Sequence, residues 1–305
     1  FLLNLIFYIV ITPVISLTLT KMMYMSENNM IVKDALERID GVLSVSPMSE
    51  SETPEYPADS SVELNDVHFS YDGKNEVIRG VSMNIGAGQT VALVGPSGGG
   101  KSTLAGLMAR FFDVKSGSIK VGGADIREIP KEELMNAVSF VFQDSKLIKA
   151  TIAENVKLGK PDATDEEVAA ALHTAQCDDI IQKLPDGADT VIGTKGVFLS
   201  GGERQRVKLA SFLTKDSAQG GVMFIFDEPT TGLHFHDINK LLAAFNALIE
   251  RGHTIVIVEH NMDVIKCADW VVDLGPEAGT GGGRVVFEGT PRALEQCPDS
   301  YTGKF

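Results

Sequence analysis

The chain has 305 residues, of which 44% are apolar and 22% charged, so it can bury a core and is not disordered throughout. Acidic residues outnumber basic ones 41 to 27, and the net charge of −14 argues against a generic polyanion-binding protein while leaving room for a local nucleotide site. Three cysteines without a closely spaced pair exclude a disulfide framework and a zinc site of the CxxC kind. The chain begins with Phe1, and we expect it to be part of a longer protein.

The first 25 residues predict a transmembrane helix. Residues 1–20 carry no charge and 14 of the 20 are apolar, and the apolar run resumes after Lys21. About 20 apolar residues cross a bilayer, and a membrane helix tolerates a proline such as Pro13. A signal peptide would need a basic start and a small-residue cleavage site, which are missing, and a buried core helix is the remaining alternative.

The rest of the chain predicts a connector followed by an α/β domain. Residues 26–61 combine a helical apolar spacing with a linker rich in proline, serine and glutamate, and a compact domain is expected over 62–305. Strands alternate with helices in this domain, which favours a largely parallel sheet with functional loops at the carboxyl ends of its strands. The predicted strands are 62–71, 77–85, 89–95, 116–123, 136–143, 222–228 and 254–260, and the predicted helices are 101–112, 165–176 and 238–252.

The sequence GPSGGGKS satisfies the phosphate-binding pattern GxxxxGK[ST]. It follows a predicted strand and precedes a predicted helix, where loop amides can surround phosphate oxygens. Lys101 would reach the β- and γ-phosphates of ATP, and the hydroxyl of Ser102 would bind Mg²⁺. A glycine-rich turn that matches by chance is the alternative. The predicted nucleotide-binding residues of this loop are Gly95, Pro96, Ser97, Gly98, Gly99, Gly100, Lys101, Ser102 and Thr103.

Two further segments carry candidate functional groups. VMFIFDEP ends a buried strand with Asp227, which would hold Mg²⁺, and Glu228, which would act as general base on the attacking water. A strand that ends in solvated acids is the alternative. LSGGERQR at 199–206 reads as a helix N-terminus with free amides, hence a second anion site. One complete phosphate loop is already present, so this second site indicates a nucleotide bound on another molecule.

The order of P-loop, Gln143, LSGGE, FDEP and His260 resembles the ATP-binding-cassette (ABC) ATPase family over residues 62–305. The resemblance implies the α/β P-loop cassette fold with a helical subdomain at about 144–215, and a head-to-tail dimer that encloses two ATP molecules. It also implies that Tyr71 stacks on adenine, although Tyr71 could be a core aromatic instead. Gln143 would contact Mg²⁺ and the attacking water, and His260 would contact the γ-phosphate. The residues implied to touch the opposite subunit's ATP are Ser200, Gly201, Gly202 and Glu203.

Two branches of the family compete along the chain. Residues 1–206 resemble an exporter, with the last membrane helix ahead of the cassette, whereas residues 207–305 are similar to the C-terminal cassette of the excision-repair ATPase UvrA. His234 stands where exporters usually place an aspartate. A hybrid origin and a divergent transporter lineage both stay open.

The function implied is that of an exporter's nucleotide-binding domain, whose ATP hydrolysis powers translocation. The expected partners are a second ABC subunit, identical or distinct, the missing transmembrane helices and the lipid bilayer. The cassette would lie on the cytoplasmic side of the cell (inner) membrane. A UvrA-like repair ATPase is the alternative, and DNA is not an expected partner because the chain has no basic stripe. His234 and His236 are not expected to bind metal, and the GTGGG run at 279–283 is expected to be a surface turn rather than a second phosphate loop.

Overall fold

The computed structural model describes residues 1–45, 47–143, 146–193, 198–214, 221–277 and 279–304, without the side chains of His236 and Thr280. The predicted helical subdomain at about 144–215 therefore falls partly outside the described residues. The chain divides into two compact units, Phe1–Ser49 and Glu50–Phe305.

The first unit is a single long helix, α1 (Leu2–Leu43), which contains Pro13 and has no buried residue. Within the described residues it is the one helix long and apolar enough to cross a membrane. Its 42 residues would extend about 63 Å, roughly twice the hydrocarbon thickness of a bilayer. The helix therefore continues beyond Met25, the predicted end of the membrane span, and includes the part of the connector up to Leu43.

The second unit contains ten strands within the described residues, arranged in two sheets. A four-stranded antiparallel sheet has the order β2-β1-β4-β5. A six-stranded sheet has the order β10-β9-β3-β8-β7-β6, with every pair parallel except the edge pair β9–β10. The strands are β1 (Val62–Phe69), β2 (Ile78–Ile85), β3 (Thr90–Val94), β4 (Ser116–Val121), β5 (Ala124–Asp125), β6 (Val138–Val141), β7 (Met223–Asp227), β8 (Thr254–Val258), β9 (Trp270–Gly275) and β10 (Arg284–Gly289).

The helices lie around these sheets and include several that the sequence analysis did not predict. They are α2 (Lys101–Met108), α3 (Lys131–Ala137), α4 (Ile152–Lys157), α5 (Asp165–Thr174), α6 (Asp178–Ile181), α7 (Gly201–Leu213), α8 (Phe235–Glu250), α9 (Met262–Cys267) and α10 (Pro291–Leu294). The predicted capping box of α5 is present, since Thr164 and Glu167 exchange side-chain to backbone hydrogen bonds.

The six-stranded sheet is the largely parallel sheet that the sequence predicts. The sequence does not predict the second sheet, in which β1, β2 and β4 pair antiparallel in a layer of their own. The predicted strand 136–143 begins only at Val138, because α3 occupies the residues before it. Pro130 is the N-cap residue of α3 and two glutamates lie in its first turn, which favours a helix there.

The order of the parallel strands determines which loops meet. Leu93 of β3 and Asp227 of β7 both lie level with Val258 of β8, and Val141 of β6 lies level with Phe226. These strands therefore end at one edge of the sheet, and the segments that follow them become neighbours although they are far apart in sequence. Nearly all of the residues in these strands are buried, so the edge is supported by a rigid core.

A cluster of charged side chains joins α6, α7 and α8. The guanidinium of Arg206, which is buried, donates to the backbone oxygen of Gln176 and to Asp179 Oδ1 at 2.8 Å, and lies 3.6 Å from Asp237 Oδ1. Lys240 also donates to Asp179. Burial alone would raise the pKa of the Asp179 carboxyl, but the hydrogen bonds from Lys240 and Arg206 outweigh it and lower the pKa to about 2. Charge thus ties α7, whose start carries residues 200–203 of the LSGGE motif (the signature segment), to both α6 and α8.

Candidate functional site

The P-loop lies between β3 and α2, as predicted, and its conformation depends on glycine. Gly98 and Gly100 have φ values of +76° and +99°, in the left-handed region that a side chain disfavours. At Gly95, with φ +126°, a Cβ atom would lie 2.0 Å from the backbone oxygen of Leu274, so only glycine fits. The loop therefore folds tightly enough to present backbone groups at the start of the helix.

Lys101 is the first residue of α2 and only 5% exposed. Its Nζ donates to the backbone oxygens of Gly95 at 3.0 Å and Pro96 at 2.9 Å, so the side chain curls back along the loop. Burial lowers the pKa of the Lys101 ammonium, while the negative charges of Glu228, Asp227 and Asp273 oppose that shift. A cation surrounded in this way is placed to meet added negative charge at the loop.

Ser102 links the P-loop to the end of β7. Its Oγ donates to Asp227 Oδ1 at 3.0 Å across 125 residues of sequence. Burial raises the pKa of the Asp227 carboxyl, as does the nearby charge of Glu228, whereas the Ser102 hydrogen bond and Lys101 lower it. The structure thus brings together the hydroxyl and the carboxylate that the sequence analysis assigned to the same metal ion.

Glu228 is the centre of a polar cluster at the carboxyl edge of the sheet. Its Oε2 accepts a hydrogen bond from Gln143 Nε2 at 3.0 Å and lies 3.4 Å from Thr231 Oγ1, and its Oε1 lies 3.9 Å from His260 Nε2. Its φ of +47° places a non-glycine residue in the left-handed region, which costs about 1–2 kcal/mol and is typical of functional sites. The predicted site residues that follow β6, β7 and β8, namely Gln143, Glu228 and His260, therefore lie together.

Glu259, to which the sequence analysis gave no role, holds two of the loops in place. The residue is 3% exposed, and its Oε2 accepts from the backbone N–H groups of His260 at 2.7 Å and Asn261 at 2.9 Å. Its Oε1 accepts from the backbone N–H of Thr230 at 2.8 Å and from the Thr230 hydroxyl. One buried carboxylate thus fixes the segments after β7 and β8. The available signal was a charged residue that ends a buried strand.

Tyr71 lies beside the P-loop and is 58% exposed, so it is not the core aromatic of the alternative interpretation. Its hydroxyl lies 3.1 Å from Thr103 Oγ1 on α2. Its ring packs edge-on against Phe69, with centroids 4.8 Å apart, and against Phe112, at 5.3 Å. The neighbouring rings hold an exposed aromatic face next to the phosphate loop.

The signature segment, residues 200–203, lies at the start of α7 and is not part of the polar cluster around Glu228. Ser200 is the N-cap residue of α7 and forms a capping box with Glu203, since Ser200 N donates to Glu203 Oε2 at 2.8 Å and Ser200 Oγ accepts from Glu203 N. Gly201 and Gly202 form the first turn. Among the described hydrogen bonds and ion pairs, none joins any of residues 200–203 to the P-loop or to Glu228. The predicted helix N-terminus is therefore present, but these contacts do not bring it to the same cluster.

The residues at the P-loop fit ATP and Mg²⁺. Ser102, Asp227 and Gln143 carry hydroxyl, carboxylate and amide oxygens, the hard ligands that Mg²⁺ prefers. The positive-φ glycines form a narrow turn, and Lys101 supplies a buried positive charge. A loop of this shape at a helix start suits a polyphosphate better than a small neutral ligand.

The histidine pair, the cysteines and the GTGGG run lie outside the polar cluster around Glu228. His234 is the exposed N-cap residue of α8, and the side chain of His236 lies outside the described residues. Cys177 is buried, and burial raises the pKa of its thiol to about 12. Cys267 is exposed. The GTGGG run begins as the expected surface turn, with Gly279 exposed, but its last residues, Gly282 and Gly283, are buried against the P-loop, because glycines allow two backbones to approach closely.

Fold and site together define a P-loop nucleotide-binding domain. A family model described as ABC transporter matches residues 78–231, which is half of the chain, and the chain therefore belongs to the ABC transporter family. Within that family it is an exporter-type nucleotide-binding domain, of the class that uses ATP with Mg²⁺.

The relatives agree with this assignment. The mitochondrial iron-sulfur clusters transporter ATM1 of Candida glabrata is 39% identical over 234 residues, which are 76% of this chain and 31% of that protein. The ATP-dependent lipid A-core flippase of Desulfotalea psychrophila is 34% identical over 87% of this chain and 45% of its own length. The solved structure of a bacterial Atm1-family ABC exporter with ATP bound matches with a TM-score of 0.75 and 32% identity, covering 87% of this chain and 45% of that one.

This chain therefore spans less than half of these relatives. They are transporters, and they support the exporter resemblance. They give no support to the UvrA-like resemblance of residues 207–305.

Proposed function

We propose that this chain supplies the ATP-hydrolysing cassette of a membrane exporter and works as one of a pair. The observation that carries the proposal is the convergence of Lys101, Ser102, Asp227, Glu228 and His260 at the carboxyl edge of the parallel strands of the six-stranded sheet. That arrangement combines a phosphate-binding turn with a general base. The transported substrate, the partner subunit and the membrane belong to the whole protein, of which this chain covers a part.

We assign the same roles to the parts of the chain as the sequence predicts. Residues 1–25 span the membrane, residues 26–61 connect, and residues 62–305 form the cassette. The helical subdomain at about 144–215 carries the signature segment. The apolar, unburied face of α1 supports insertion in a bilayer, since such a surface is costly in water. We place the cassette on the cytoplasmic side of the cell (inner) membrane.

The site residues have distinct tasks in hydrolysis. The P-loop amides and Lys101 would bind the β- and γ-phosphates, and Tyr71 would stack on adenine. Ser102, Asp227 and Gln143 would hold Mg²⁺, which neutralises charge on the phosphates when bound. Glu228 accepts a proton from the attacking water, and Gln143 and His260 orient that water and the γ-phosphate. The Gln143–Glu228 hydrogen bond and the nearby His260 place these groups around one carboxylate.

The role of Glu228 is tested by replacing it with glutamine. Glu228→Gln keeps the size of the side chain and removes the base, so we expect ATP binding to persist while hydrolysis falls at least about a hundredfold. Glu250→Gln makes the same chemical change at the exposed end of α8 and should leave both unchanged. The measurement is phosphate release together with equilibrium ATP binding, using the full chain in detergent. Hydrolysis of the Glu228 variant at the unmodified rate would refute the assignment.

The pairing is tested by mixing two inactive variants. Lys101→Ala disables the P-loop, and Ser200→Arg blocks the signature segment, which in a head-to-tail pair serves the other molecule's ATP. Each variant alone should be inactive. Their mixture should regain activity, at most about a quarter of the unmodified sites, because a mixed pair keeps one intact composite site. A mixture that stays inactive while both variants are folded would contradict the pairing.

The repair alternative makes a different prediction. A DNA-repair ATPase would hydrolyse ATP faster in the presence of damaged duplex DNA, whereas we expect no stimulation from this chain. The net charge of −14 makes a phosphate backbone a poor partner. Phosphate release measured with and without a damaged duplex separates the two.

A further inference from the structure

A second glycine-rich segment lies directly against the P-loop. This brace loop, Gly279–Gly283, follows β9 and leads into β10. The backbone N–H of Gly279 donates to Gly98 O at 3.3 Å, and that of Gly283 donates to Gly99 O at 3.1 Å. Gly283 O in turn accepts from Arg79 N at 2.8 Å, which anchors the brace loop to β2.

These hydrogen bonds control the direction of P-loop peptides. The C=O and N–H of a trans peptide point in opposite directions, so a carbonyl held on one side turns the next N–H to the other. Gly283 holds the Gly99 carbonyl and thereby turns the Gly100 N–H away from the brace loop. Glycine peptides rotate easily, because no side chain restricts φ. A P-loop with unpaired carbonyls would sample orientations in which its N–H groups cannot meet phosphate oxygens.

We propose that the brace loop is a positioning element of the ATP site, which orients the P-loop N–H groups before the phosphates bind. The inference rests on the proposed ATP site and adds to it a segment about 180 residues downstream of the P-loop. Gly279, Gly282 and Gly283 are its positioning residues, and they act through the P-loop backbone without touching the nucleotide. Preorganisation of this kind lowers the cost of binding rather than the barrier to hydrolysis.

Neighbouring glycines of the brace loop provide a test with its own control. A Cβ atom on Gly282 would lie 2.5 Å from the backbone oxygen of Glu277 and 3.3 Å from Gly99 Cα, so the brace loop or the P-loop must move. The three atoms nearest to a Cβ on Gly281 all belong to the Glu277 side chain: Oε2, at 3.0 Å, can rotate away, and Cβ, also at 3.0 Å, has to shift by a few tenths of an ångström, so no P-loop atom has to move. Neither glycine has a positive φ, so neither substitution is strained by a left-handed backbone.

The experiment compares Gly282→Ala with Gly281→Ala in the full chain in detergent. Equilibrium binding of ATP with Mg²⁺, the KM and kcat of hydrolysis, and the melting temperature without nucleotide are measured. We expect the Kd and KM of the Gly282 variant to rise about tenfold, as two perturbed hydrogen bonds allow, with kcat changed less than about twofold. The Gly281 variant should match the unmodified chain. A lower melting temperature with unchanged ATP affinity would mean a purely structural role and would overturn the inference.

A second measurement needs no substitution. Hydrogen–deuterium exchange of the peptide that covers the brace loop should slow when ATP binds the unmodified chain, because a nucleotide that orders the P-loop also orders the groups bonded to it. Unchanged exchange there, with slower exchange at 95–103, would overturn the inference. Absence of ATP binding in both the unmodified chain and the Gly281 variant would instead overturn the ATP site on which it rests.

Discussion

Glu259 offers the sharpest test of how the site is held together. Its carboxylate is buried and accepts four hydrogen bonds, two from Thr230 and one each from the N–H groups of His260 and Asn261. Glu259→Gln keeps the shape of the side chain but turns one oxygen into an NH₂ donor. That NH₂ must face either two backbone N–H groups or the N–H and hydroxyl of Thr230.

The cost follows from this choice. Facing Thr230 is the better arrangement, because its hydroxyl can rotate to accept, and only one backbone N–H is then left buried without a partner. Such a group costs about 1–3 kcal/mol, and the remaining bonds lose the strength that a charged acceptor gives them. We expect the free energy of unfolding to fall by about 2–3 kcal/mol. Because His260 is held by the same carboxylate, we also expect slower ATP hydrolysis with little change in ATP affinity.

The assay is urea denaturation of the full chain in detergent, paired with phosphate release. Glu250→Gln, the same change at an exposed position, serves as the control and should alter neither property. The reasoning would be refuted if the Glu259 variant lost less than about 0.5 kcal/mol, the usual range of surface substitutions. It would also be refuted if hydrolysis were unaffected.

Three further outcomes are expected. Burial, helped by the charge of Arg251, lowers the pKa of His253 below its ordinary value of 6.5, so the unfolded chain takes up this proton before the folded chain does. Stability should therefore be full above pH 6.5 and fall as the pH drops below it, and urea midpoints of His253→Asn should depend less on pH. At pH 8.5 iodoacetamide should modify the exposed Cys267 within minutes and Cys177 only after unfolding, as mass spectrometry can show, because burial raises the pKa of the latter to about 12. Asp179→Asn should destabilise the chain by about 1–2 kcal/mol in urea melts, because it weakens the pairing of a buried guanidinium.

Local patterns sufficed for much of the fold. Strands such as β3, β7 and β8 are short apolar runs between polar segments, and α5 carries its own capping box, so each is visible without neighbours. The pairing of strands is a long-range property. The alternation of elements predicted the largely parallel sheet, which is present, but not the second, antiparallel layer, in which β1 pairs with β4 across about 50 residues. Short helices such as α4 and α6 depend on tertiary contacts and left little trace in the periodicity.

The same distinction divides the candidate site. Residues with their own motif, such as Lys101 and Glu228, could be proposed from sequence because phosphate and metal chemistry restrict the residue types. Supporting groups such as Glu259 and the brace loop could not, since each bonds a loop that is distant in sequence. The prediction of a surface turn at 279–283 holds only for its exposed start for this reason: the sequence indicates a flexible turn, and the position of β9 beside β3 places its end against the P-loop.

One physical requirement connects these supporting groups. A loop at the carboxyl edge of a parallel sheet leaves the pattern of strand hydrogen bonds, and each of its buried N–H and C=O groups needs a new partner. Glu259 supplies acceptors for the N–H groups after β7 and β8, while the brace loop supplies donors for carbonyls of the P-loop after β3. The geometry of the site therefore depends as much on how the backs of its loops are satisfied as on the side chains that carry the chemistry.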